Sequence, residues 1–143
     1  MDRAISLDSS LIALSYIVGS LLALAHRLSV SVHPLTLRNI AFIFLHNYFI
    51  YVIIFVLIRL NLSYLYRLIL ALNGALVSYF AVSAILGISL ALGGFTLILS
   101  IAELLGFVLL PRIKTNVPHN LLLASAYYLS LAMVEVFVYN HLI

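Results

Sequence analysis

Residues 40–58 read IAFIFLHNYFIYVIIFVLI, apolar around nearly the whole circumference of a helix and interrupted by a single polar pair, His46-Asn47. A strand facing lipid would alternate apolar and polar residues over about ten positions. No such alternation exists here. A second stretch, LLLASAYYLSLAMVEVFVY at residues 121–139, has the same character. Each approaches the roughly 20 residues that carry an α-helix across a bilayer. Across all 143 residues the hydrophobic fraction is 66%, against about 45–50% for a soluble domain. With only 8% of residues charged, too little polar surface exists to cover a globule. Frequent Val and Ile weaken helices in water, but in lipid the backbone must bond within itself, and that demand outweighs propensity. The expected fold class is all-α, a polytopic transmembrane helical bundle forming one integral membrane domain over residues 1–143, with the lipid bilayer as its first partner.

Working outward, five spans are expected at about 11–26, 40–58, 64–86, 95–110 and 120–140. Asp8, Ser9 and Ser10 are good N-cap types for the first. That span is short, so it must borrow from Ile5 or Leu28. No small-residue cleavage pattern follows it, and it reads as a retained span rather than a signal peptide. Leu28 to Asn39 forms a linker containing Pro34. Asn61 and Ser63 suit the cap of the third span, with Tyr64 and Tyr66 in an aromatic belt and Arg67 snorkelling to the interface. Gly87 and Gly93-Gly94 bound a turn, and Pro111 to Pro118 mark a loop. Gly19 with Ala23 gives the first span a close-packing face. Ala71, Gly74, Ala75 and Ser78 make the third span the expected centre of the bundle.

The formal net charge of +3 comes from seven scattered Lys and Arg against four acids. Without a basic run, nucleic acid is not an expected partner. Five spans put Arg3, Arg59, Arg67, Arg112 and Lys114 on one side and Arg27 and Arg38 on the other. The positive-inside rule then expects a multi-pass protein of the cell membrane with a cytoplasmic N-terminus. The absence of Cys excludes disulfides and thiolate metal sites, and no metal or cofactor is expected. No internal repeat supports a transporter built from inverted halves.

The polar groups carry the functional clue. Asn47, Asn73 and Glu103 fall near the middle of their spans, where no water is at hand. Glu135 sits about 6 Å further along its helix at 1.5 Å per residue, close enough to join them. A carboxylate at that depth costs at least ~2.5–3.5 kcal/mol, so Glu103 must be protonated or paired with a donor such as His46, Asn47 or Asn73. Two readings stand side by side: interhelical clamps, with Asn47 and Asn73 bridging helices and Gly74 allowing close approach, or a proton path using Glu103 and Glu135. Catalysis is not expected. There is no His-Glu-x-x-His run and no nucleophile elbow.

Four motifs add a resemblance. FLHNYFIYV around His46-Asn47, LALNGALVS around Asn73-Gly74, SIAELLG around Glu103 and LAMVEVFVY around Glu135 follow one another in an order that resembles the stage II sporulation protein M family. There an Asn-Asn helix precedes an Asn-Gly helix, a Pro-His-Gly segment followed by Glu, and a last helix with an Ile-Glu-Ala-like motif. Leu99 and Ser100 stand where that family has His and Gly. The resemblance covers Phe42 to Tyr139. It implies a non-enzymatic membrane scaffold or accessory subunit, held by the cluster of His46, Asn47, Asn73, Gly74, Glu103 and Glu135, and associating with itself or with another membrane subunit. The alternative is a small transporter or proton-coupled channel subunit.

Overall fold

The structure is a computed structural model and describes residues 2–26 and 33–143. Its elements are α1 (Asp2–Ala25), α2 (Leu37–Arg59), α3 (Ser63–Gly87), α4 (Leu90–Leu109) and α5 (Val117–Leu142), with a 3-10 turn at Leu110–Arg112 after α4. No strand occurs among the described residues. All five helices are long and apolar enough to cross a membrane, so the chain is the expected polytopic helical bundle. Arg27 and the start of the expected linker, residues 28–32, lie outside the described residues.

The helix ends differ from expectation for identifiable reasons. α1 begins at Asp2, so Asp8, Ser9 and Ser10 lie inside the helix, not at its cap. The missing span length is taken from the N-terminal side. Asn61 does not cap α3 either. It closes α2 at a positive φ of 56°, with Asn61 N–H donating to Ile58 O at 3.1 Å and Leu62 N–H to Leu57 O at 2.9 Å. That is the Schellman pattern, in which the residue past the helix end adopts a left-handed conformation. The α2–α3 connection is correspondingly tight.

Asn39 belongs to the first turn of α2, where its side chain accepts from Thr36 N–H at 2.7 Å. Ser89 caps α4 by accepting from Leu92 N–H at 3.1 Å. This starts α4 at Leu90 and carries Gly93-Gly94 into the helix, where a turn was expected. Asn116 caps α5 through His119 N–H at 2.9 Å, with Pro118 in the first turn, where its missing N–H does no harm.

Residue pairs across the bundle fix its direction. Asp8, Arg67 and Arg112 meet at one end. At the other, Leu35 N–H donates to Asn140 Oδ1 and Asn140 Nδ2 donates back to Leu35 O, both at 2.8 Å. We call these the N-terminal and C-terminal faces. α4 packs against all four other helices, whereas α3 packs against α1, α2 and α4. The centre is therefore α4, not α3. Gly93 permits this on one side, since a Cβ there would stand 2.8 Å from Ile85 Cα of α3.

The small residues of α3 serve its seam with α1. Gly19 lies against the carbonyl of Ala75, Ser78 donates to Tyr16 O at 2.6 Å, and Ser20 and Ser78 hydroxyls are 3.0 Å apart. Ala23 is fully buried. Close approach of this kind drives helix association where lipid supplies no hydrophobic force. A Cβ at Gly19 would overlap the Ala75 backbone, while one at Gly94 would meet nothing within 4 Å. Gly19→Ala is expected to destabilise the bundle by about 1–3 kcal/mol. Gly94→Ala should be neutral or raise stability by up to about 1 kcal/mol through helix propensity. Thermal unfolding in detergent, followed by far-UV circular dichroism, measures both.

Candidate functional site

On α4, Thr96, Ser100, Glu103 and Phe107 recur at intervals of four, three and four, forming one stripe on the helix. Asn47 of α2, Asn73 of α3 and Glu135 of α5 face that stripe across a cavity of about 230 Å³. Phe42, Ile43, Val77, Phe80 and Leu104 supply apolar walls, and His46 lies on the rim. Five of the six expected cluster residues are thus brought to one cavity. Gly74 is the exception. It faces α1, where a Cβ would run into the Ser15 hydroxyl, so it permits close approach but at the α1–α3 seam.

The bonds are fewer than a set of clamps would need. Asn47 Nδ2 donates to Glu103 Oε1, joining α2 to α4. Asn73 bridges no helices among the described residues: its Nδ2 donates to Ile69 O of its own helix at 3.0 Å. Neither the Glu135 carboxyl nor the His46 ring makes a hydrogen bond among the described residues. His46 is exposed and stacks on Phe42 with ring centroids 6.3 Å apart. Ser100 lines the same cavity as His46, yet its hydroxyl donates to Thr96 O at 2.6 Å. Ser100 and His46 therefore form no dyad. Among the described residues no group of three His, Asp or Glu is placed to hold a metal ion.

The two ends of the cavity differ. Toward the C-terminal face it adjoins a cleft of about 320 Å³, lined among others by Leu35, Asn39, Ile88 and Tyr139. The cleft and the cavity share Ile43, Phe80, Thr96 and Glu135. Glu135 therefore stands between the outer cleft and Glu103. Toward the N-terminal face the bundle is filled: Tyr51, Tyr128 and Asn120 are without exposure, and Leu104 and Phe107 nearly so. The Tyr51 hydroxyl donates to Asn120 Oδ1, and Asn120 Nδ2 donates to Leu110 O at 2.7 Å. That carbonyl also accepts from Ile113 N–H at 3.2 Å, in the 3-10 turn that follows α4. Tyr127 OH donates to Ala102 O at 2.8 Å and Tyr128 OH to Glu103 O at 3.3 Å, holding the backbone beneath the carboxyl.

Below this plug lies a constellation absent from the sequence-based expectation. Asp8 of α1 is completely buried. Its Oδ1 accepts from Arg67 Nε at 2.9 Å, its Oδ2 pairs with Arg112 Nη2, and Tyr66 OH stands 3.2 Å away. Arg67 is thereby paired instead of snorkelling freely. Tyr66, 5% exposed, faces inward, whereas Tyr64, 79% exposed, fits the expected belt. A signal for this network did exist in the sequence. Arg67, Arg112 and the N-terminus were already assigned to one face, and Asp8 is an acid of that face within helical reach.

Removing one partner of a buried ion pair leaves the others uncompensated, at a cost of about 3–5 kcal/mol. Arg67 is 32% exposed and can turn to water, but Arg112 is only 12% exposed. Asp8→Leu is expected at the lower end, about 3 kcal/mol. Asn120→Leu orphans the buried Tyr51 hydroxyl, while the Leu110 carbonyl keeps its bond from Ile113 N–H, and is expected to cost about 1–3 kcal/mol. Denaturation of both variants in detergent gives the comparison.

Comparison of the chain with protein-family models, with curated proteins and with solved structures finds no match in any of the three. The four motifs alone carry the resemblance drawn from the sequence.

Proposed function

We propose that the chain is a small membrane transport subunit in which Glu103 and Glu135 exchange protons with the C-terminal side of the bilayer. The supporting observation is the position of Glu135. It lines both the mid-membrane cavity and the cleft to the C-terminal face, and no side chain among the described residues clamps it. Ionisable groups inside a bundle mark ion pathways and proton relays. A purely structural cluster accounts for Asn47 and Glu103 but leaves Asn73 and Glu135 without a role. The chain would be a subunit of the cell membrane with its N-terminus in the cytoplasm, so the cleft would open to the outside. No catalysis is assigned to it.

A second reading has its own support. Of the residues that carry the resemblance to the stage II sporulation protein M family, His46, Asn47, Asn73, Glu103 and Glu135 share the cavity, and Gly74 lies outside it. In that reading the chain is a scaffold or accessory subunit, the cluster sets helix register, and any chemistry belongs to a partner.

Proton flux into proteoliposomes under an imposed potential separates the two. The transport reading expects flux in the native chain. It also expects a fall of roughly tenfold or more in folded Glu103→Gln and Glu135→Gln, since an amide cannot carry the proton. Absence of flux in the native chain, with Glu103→Gln retaining stability through its amide, would sink transport and leave the scaffold.

A further inference from the structure

The cavity has an open side between α2 and α3. Phe42 and Phe80 on its rim are 71% and 52% exposed, and His46 is exposed between them. His46 also belongs to a groove on the outer face of α2, shared with Phe42, Leu45, Tyr48, Phe49 and Val52. Leu45 and Phe49 of that face are 60% and 66% exposed. Positions 42, 45, 49 and 52 are spaced by three, four and three, the seam that packs one helix against another. Lipid would cover an apolar face of this kind unaided. It cannot satisfy an imidazole near mid-span, and the ring, although it borders the cavity, makes no hydrogen bond among the described residues, which leaves a partner to supply one.

The occupant must offer a hydrogen-bonding group at the depth of His46. A second copy, related by a two-fold axis along the membrane normal, presents every residue at the depth of its counterpart. Asn47 adjoins His46 in the chain and bonds Glu103, so the Glu103 carboxyl lies close to the depth of His46. The opening therefore presents both a donor, His46 on its rim, and an acceptor, Glu103 in its lining, which is the self-complementarity that an isologous interface needs.

We propose that the outer face of α2 and the open side of the cavity form a two-fold interface with a second copy of this chain. Each His46 hydrogen-bonds into the carboxyl cavity of the other copy. The dimer closes both lateral openings and leaves the clefts at the C-terminal face as the way in. The pairing holds whether the cavity conducts protons or only sets helix register.

Because the native chain has no Cys, single cysteines report the interface without background. Leu45→Cys and Phe49→Cys mark the face, while Leu21→Cys on α1 and Leu129→Cys on α5, both on exposed positions, mark others. After oxidation in liposomes, the first two are expected to give disulfide-linked dimers that persist as protein is diluted in lipid. The last two should remain monomers. In the Phe49→Cys background, His46→Leu should weaken association roughly tenfold through loss of two symmetric hydrogen bonds. His46→Gln, which keeps a donor, should restore part of it, with helicity unchanged in both. Monomers upon dilution, cross-linking through α1 or α5 instead of α2, or full association in folded His46→Leu would each overturn the proposal. Proton flux is not read in this assay, so its outcome leaves the transport reading to its own test.

Discussion

Between the two faces of a bilayer a polar side chain has no water to fall back on, and the arrangement of this bundle follows from where such groups find partners. Asp8 is the extreme case, without exposure and held by two guanidiniums from different parts of the chain. Its carboxylate ties α1 to α3 and to the turn after α4. One level further in, Asn120 joins α2 to the end of α4 through Tyr51 and the Leu110 carbonyl. All five helices are thus tied at or near the N-terminal face. Apolar packing alone would not select this arrangement, because lipid tails are as good a neighbour for Leu and Ile as another helix.

That concentration of bonds makes the two halves of the protein unlike. The N-terminal half is closed by Tyr51, Tyr128, Leu104 and Phe107. In the C-terminal half, α2 and α3 leave a cavity and a cleft that share Glu135. Among the described residues fewer cross-links operate there: the Leu35–Asn140 pair, Tyr79 donating to His26 O at 2.9 Å, and Ser78 with Tyr16 and Ser20 in the α1–α3 seam. Local opening draws on the regions with fewest buried contacts. The walls of the cavity and cleft that hold the carboxyls, outside the close-packed α1–α3 seam, are therefore where opening costs least.

The amino-acid pattern carried the class, the five spans and the meeting of Asn47, Asn73, Glu103 and Glu135, because depth in a membrane is readable from position along a hydrophobic run. Caps were less legible. Asn61 is equally suited to end one helix or begin the next, and only the bonds to Leu57 and Ile58 decide. Gly93-Gly94 resembles a turn until Ile85 is placed beside Gly93. Asp8, read as a cap from its neighbours in sequence, belongs to a network whose other members lie 58, 59 and 104 residues away. Rotation about the helix axis was likewise hidden. Asn73 and Gly74 are adjacent, yet the first lines the cavity and the second the α1 seam.

The balance of donors and acceptors distinguishes glue from pathway. In a clamp each polar group is matched, and the cost of carrying it into lipid is offset by its bond. Here two carboxyls share a cavity with a single amide that reaches either of them. Asn73, Thr96 and Ser100 turn their donors to the backbone of their own helices. Hydroxyls bonded in that way still have oxygen lone pairs free toward the cavity. Its polar lining is therefore richer in acceptors than in committed donors. An acceptor-rich cavity calls for protons, or for another donor, from outside the four helices that line it. Protons can arrive along the cleft past Glu135, and a fixed donor can arrive only through the lateral opening. His46, on the rim and unpaired among the described residues, has the chemistry for the second role.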